Sequence, residues 1–151
     1  IPAGSKLARF SLADALVDED GSDLDLYVYR CIGWSCTQVA NSLNAGSNEN
    51  VILTNPEPAA DVSVGDVYVT MIHGYSTGAA PATDYTMVGW IADKVESSTR
   101  IISSRRAVQG RFNYTTISTR DLPIGSTYMG AVTYFNDEGE AEGTAVLELN
   151  N

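Results

Sequence analysis

The chain is poor in the residues that do most protein chemistry. It holds one histidine, His73, and two cysteines, Cys31 and Cys36, in 151 residues. Two thiols with no histidine near them in sequence cannot complete a tetrahedral zinc site, and their spacing is not the C-x-x-C of a redox motif. Basic residues are scarce too: nine Lys and Arg stand against nineteen Asp and Glu, a formal net charge of −10. Such a surface repels nucleic acid and anionic membrane. No apolar run approaches the roughly 20 residues a membrane-spanning helix needs. The opening Ile1-Pro-Ala-Gly-Ser lacks the charged and apolar regions of a signal peptide, so the chain reads as a piece excised from a longer product. No segment sustains a helical period near 3.6 residues.

What is present is a series of short alternating segments divided by Gly, Asn, Asp, Ser and Pro clusters, the pattern of an all-β protein. Strands are expected at Leu7–Ala13, Asp23–Cys31, Thr37–Asn41, Asn50–Thr54, Val67–Tyr75 and Asp84–Ala92. A second group follows at Arg100–Val108, Arg111–Ser118, Tyr128–Phe135 and Thr144–Asn150. Two antiparallel sheets stacked face to face would bury Phe10, Leu12, Leu24, Leu26, Val28, Val51, Leu53, Leu147 and Leu149. The polar stretch Lys94-Val-Glu-Ser-Ser-Thr is the expected seam, giving a sandwich over 1–93 and an extension over 97–151 packed on it, or one continuous domain over 1–151.

The densest signal is Asp18-Glu-Asp-Gly-Ser-Asp-Leu-Asp-Leu-Tyr-Val-Tyr-Arg-Cys31. Clustered carboxylates repel one another and offer oxygen ligands to a hard cation, so calcium is the expected metal. The ligands would be Asp18, Asp20, Asp23 and Asp25, with Asp14 as a further contributor; the alternative is a solvated acidic turn. The pattern is not an EF-hand, because the sixth and twelfth positions from Asp18 are Asp23 and Tyr29. In the strand that follows, Leu24, Leu26 and Val28 share one face and Asp25, Tyr27 and Tyr29 the other.

Cys31 and Cys36 fit a small loop clipped by a disulfide, which implies export; the alternative is two buried free thiols. Trp34 inside that loop and Tyr75 beside a Gly/Ala-rich loop are the candidate ligand-binding rings. His73 sits in an apolar strand pattern, where a packed or hydrogen-bonded histidine is commoner than a general base. Arg100, Arg105, Arg106 and Arg111 form the only basic concentration, either a charged strand edge or a surface for an acidic partner.

The segment from Ala8 to Cys31 resembles the opening of the C-terminal domain of many secreted bacterial subtilisin-like serine proteases, a region similar to the bacterial pre-peptidase C-terminal domain. Further matches are Cys36-Thr-Gln-Val, Asn48-Glu-Asn-Val, Tyr68-Val-Thr-Met-Ile-His-Gly-Tyr75, Tyr85-Thr-Met-Val-Gly-Trp90 and Gly125-Ser-Thr-Tyr-Met-Gly-Ala-Val-Thr-Tyr134. The resemblance implies a jelly-roll-like β-sandwich that follows a catalytic domain, is secreted, and is often removed during maturation. The partners it implies are the protease's own catalytic domain and an insoluble protein substrate. No catalytic residue is expected in this chain, since a subtilisin-like site needs Asp, His and Ser, the last usually within Gly-Thr-Ser-Met-Ala, which is absent. A carbohydrate-binding module and a removable domain acting only in biogenesis are the alternative readings.

Overall fold

A computed structural model describes residues 1–93, 99–103, 115–119, 123–125 and 127–150. The strands are β1 (Leu7–Ser11), β2 (Ser22–Ile32), β3 (Ser35–Ser42), β4 (Asn50–Thr54), β5 (Val67–Thr77), β6 (Val88–Ala92), β7 (Thr99–Ser103), β8 (Thr115–Thr119), β9 (Thr127–Phe135) and β10 (Ala141–Asn150). No α-helix occurs among the described residues; two single 3₁₀ turns lie at Asp14–Leu16 and Val62–Val64. The fold is an all-β antiparallel sandwich.

Its layers are two three-stranded sheets, ordered β4-β1-β6 and β3-β2-β5. The cause is the period of two. Leu24, Leu26 and Val28 of β2 face inward with Ile72 of β5 and Ala40 of β3, and meet Phe10, Val51 and Leu53 from the first sheet and Leu12 just after β1. Leu26 and Val28 are fully buried, and each such side chain contributes about 1.5–3 kcal/mol. All seven core residues expected from the first 93 positions lie in this cluster or pack on it. Leu147 and Leu149 lie elsewhere, half-buried on β10.

That difference follows from the position of the β9-β10 hairpin. It contacts the opposite face of the first sheet, where Arg9 Nη1 reaches Glu148 Oε2 at 2.6 Å and Asn55 Nδ2 reaches Thr144 Oγ1 at 3.5 Å. Arg9 is further held by Asn50 Oδ1, 2.8 Å from its Nε, and by the ring of Trp90, 5.3 Å from the guanidinium carbon. The described residues thus place three strands in each sandwich layer and a hairpin beyond one of them. β7 and β8 pair with each other, Ile101 opposite Ile117.

Strand ends differ from the sequence expectation where chain pairing, not pattern, sets them. The sixth strand begins at Val88 rather than Asp84, because the preceding residues turn toward the acidic loop: Tyr85 bridges Val17, Asp18 N donates to Asp84 O and Thr86 N to Leu16 O. The seam Lys94-Val-Glu-Ser-Ser and residues Arg105, Arg106 and Arg111 lie outside the described residues; of Arg100 only its backbone place in β7 is described.

Candidate functional site

Two regions gather the residues singled out above, at opposite ends of β5. The first is the acidic loop. Ser22 turns it by donating through its backbone N and its Oγ to Glu19 O, at 3.3 and 2.8 Å, and Thr83 Oγ1 holds Glu19 N at 3.0 Å. Gly78 packs so closely that a Cβ there would lie 2.5 Å from Asp20 O, and its φ of 65° adds the same restriction. Asp14 crosses to the loop before β4, accepting from Ser47 N at 2.6 Å and from Asn48 Nδ2. Between these pieces opens a cavity of about 500 Å³ lined by Asp14, Glu19, Asp20, Asp23, Ser22, Ser47 and Ser76 among others.

The cavity draws in Asp20, Asp23 and Asp14, but not the other two expected ligands. Asp18 is outside its lining. Asp25 is on the outer face of β2, directly opposite His73 of β5, and its Oδ2 is 3.0 Å from His73 Nδ1. Asp23 Oδ1 is buried and has no hydrogen-bond partner. Among the described residues no three His, Cys, Asp or Glu side chains converge closely enough to hold a metal by themselves, so a calcium ion here would draw part of its six to eight oxygens from hydroxyls, carbonyls or water.

The second region is the tip of the β2-β3 hairpin. Cys31 and Cys36 are a directly opposed cross-strand pair and form a disulfide. The enclosed turn is fastened to the start of β5: Gly33 N donates to Asp66 Oδ1 at 2.9 Å and Trp34 N to Gly65 O at 3.2 Å. One face of the Trp34 indole lies on Gly65, where a Cβ would come within 2.5 Å of the ring. The rest of Trp34 is in solvent, 65% exposed. Tyr75, 73% exposed, is near the other end of β5, roughly 26 Å along the strand from its first residue. The two candidate rings therefore do not share one patch.

His73 is exposed, with Asp25 beneath it. A carboxylate at Nδ1 orients an imidazole; a serine-protease triad would add a hydroxyl at the other nitrogen, and among the described residues no hydroxyl or thiol hydrogen-bonds to it. Sequence reasoning missed Ser47 and Glu49, both fully buried. Glu49 accepts from Asn44 N at 2.8 Å and Asn44 Nδ2 at 3.3 Å, while Ser47 Oγ donates to Ser22 O at 3.1 Å. They fix the loop that closes one side of the acidic cavity, and the Asn48-Glu-Asn-Val match hinted at Glu49 alone.

Fold and site together define an antiparallel β-sandwich domain with an acidic cavity and a disulfide-clipped tryptophan turn. Comparison with known protein families, with curated proteins and with solved structures finds no match.

Proposed function

We propose that this chain is a non-catalytic accessory domain of a secreted subtilisin-like serine protease, and that it attaches the enzyme to insoluble protein. The protease association rests on the resemblance of the Ala8–Cys31 segment. The attachment role is carried by one observation: an exposed tryptophan held on a turn that a disulfide and two backbone hydrogen bonds make rigid. A ring presented this way offers contact area at low entropic cost. The disulfide suits an oxidising compartment. The physical effect would be tethering, since linking a weak binding module to an enzyme raises its effective concentration at a surface without new chemistry.

The test is retention of the parent enzyme and of its Trp34→Ala variant on insoluble protein and on polysaccharide. Loss of protein retention in the variant is expected. Unchanged retention removes Trp34 from the binding surface, and retention on polysaccharide alone replaces this reading with a carbohydrate-binding module. A parent secreted without this 16.1 kDa segment would confine the domain to biogenesis.

A second role, calcium binding at the acidic cavity, is favoured by the partnerless Asp23 Oδ1 among Asp14, Glu19 and Asp20. Calcium at 100 times its Kd would stabilise the fold by about 2.7 kcal/mol. The melting temperature should rise in millimolar calcium and not in the Asp23→Asn variant; no rise in the unaltered chain sinks the site.

A further inference from the structure

Trp34 is not alone on its tip. The 3₁₀ turn Val62–Val64 ends at Gly65, the residue on which the indole lies. Val62 and Val64 are 68% and 53% exposed, so two aliphatic side chains stand in solvent next to the support of the ring. Apolar residues scattered singly over a surface need no explanation, whereas three gathered on two joined turns mark a contact surface.

The polar groups of the two turns are spent on one another. Asp61 and Asp66 exchange backbone hydrogen bonds at 2.8 and 2.9 Å, and Gly65 N donates to Val62 O at 3.2 Å. Asp61 Oδ1 accepts from Ser63 N at 3.0 Å and from Ser63 Oγ at 2.6 Å, while Gly33 N and Trp34 N are taken by Asp66 Oδ1 and Gly65 O. Turns satisfied in this way can lose water without stranding a donor, which suits an apolar partner. The same bonds use up the N–H groups that would read the hydroxyls of a sugar.

The charge on the tip is negative. The hydrogen bonds from Ser63, side chain first and then backbone, hold the Asp61 carboxyl below the usual carboxylate range, so it is ionised at neutral pH. With Asp66 beside it, in a chain of −10, it turns away acidic partners and anionic lipid and favours basic ones.

We infer that Trp34, Val62 and Val64 form one binding tip whose occupant is an apolar polypeptide segment flanked by basic side chains. The three apolar side chains would fill the centre of the contact, and Asp61 and Asp66 would meet the basic residues at its rim. This names the ligand class for the attachment role and rests on it.

In the experiment the intact chain is passed over beads carrying the peptide Lys-Leu-Val-Pro-Val-Leu-Lys, whose central proline opposes strand pairing. Retention is expected, and it should fall about tenfold or more on beads whose aliphatic residues are replaced by serine, or whose terminal lysines are replaced by glutamate. The double variant Val62→Ser with Val64→Ser should lose retention to a similar degree while melting close to the unaltered chain; if it fails to fold, the three peptides on the unaltered chain decide. Absence of retention overturns the proposal, as does equal retention on the serine beads. So does binding to phosphatidylcholine vesicles in place of the beads, which would make the tip a lipid anchor. Retention on insoluble protein that needs Trp34 and ignores the two valines overturns the shared tip and leaves tethering intact. If neither Trp34→Ala nor the valine variant changes that retention, the attachment reading falls as well.

Discussion

Glu49 is a carboxylate wholly removed from water that, among the described residues, accepts its hydrogen bonds from Asn44. Replacing it by alanine leaves the Asn44 backbone N–H without its acceptor and opens a void, so Glu49→Ala should cost about 1–3 kcal/mol in a urea titration. A loss below a few tenths would mean that water reaches Asn44. Tyr68 is the residue whose ionisation reports on the fold. Burial raises its phenol pKa above the usual tyrosine value, Arg30 opposing and Glu57 reinforcing the shift, and its hydroxyl donates to Glu57 O at 2.8 Å. A raised folded-state pKa means stability present below about pH 10 and lost as pH rises through the folded value. The unaltered protein should therefore lose stability more steeply above pH 10 than Tyr68→Phe, measured by denaturant midpoints across that window.

At the scale of elements, the β2-β3 hairpin and the start of β5 act as one unit. The Cys31–Cys36 link closes a short loop, for which chain entropy predicts about 2 kcal/mol of stabilisation. The double variant Cys31→Ser with Cys36→Ser should lose that amount and release Trp34, seen as a shift in its fluorescence. Gly65 is the other half of the clamp. Its φ of 79° is a left-handed conformation, and a Cβ would collide with the indole. Gly65→Ala should cost about 1–2 kcal/mol for the backbone alone and displace Trp34 as well. A variant with native stability and unchanged fluorescence would show that the turn is not clamped.

For the whole molecule, the question is what joins the β9-β10 hairpin to the sandwich. The named link is Arg9–Glu148, which is partly exposed at both ends. Solvent screening limits such a pair to about 0.2–1 kcal/mol, and salt weakens it further. Glu148→Gln should cost no more than that and less in high salt. Arg9→Ala should cost more, because the guanidinium also binds Asn50 and stacks on Trp90. Equal losses for the two would place the whole effect in the ion pair.

Residues Leu24 to Tyr29 show how much was legible in the chain itself. Alternation assigned the two faces of β2 and the sandwich core, because a period of two is a local property that the pleat converts directly into burial. Strand existence and the disulfide spacing were legible for the same reason: each is written within a few neighbouring residues. The candidate site was legible only as an acidic cluster. Which carboxylates meet depends on loops from distant parts of the chain, so Asp14, joined to Ser47 and Asn48, enters the cavity, while Asp25, two residues from Asp23, lies on the outer sheet face beside His73. Composition and local pattern determined an acidic, all-β chain with a clipped hairpin. Tertiary structure alone decided the third layer on Arg9, the burial of Glu49 and the meeting of Asp14 with Ser47, since each is set by packing that no short stretch of sequence specifies.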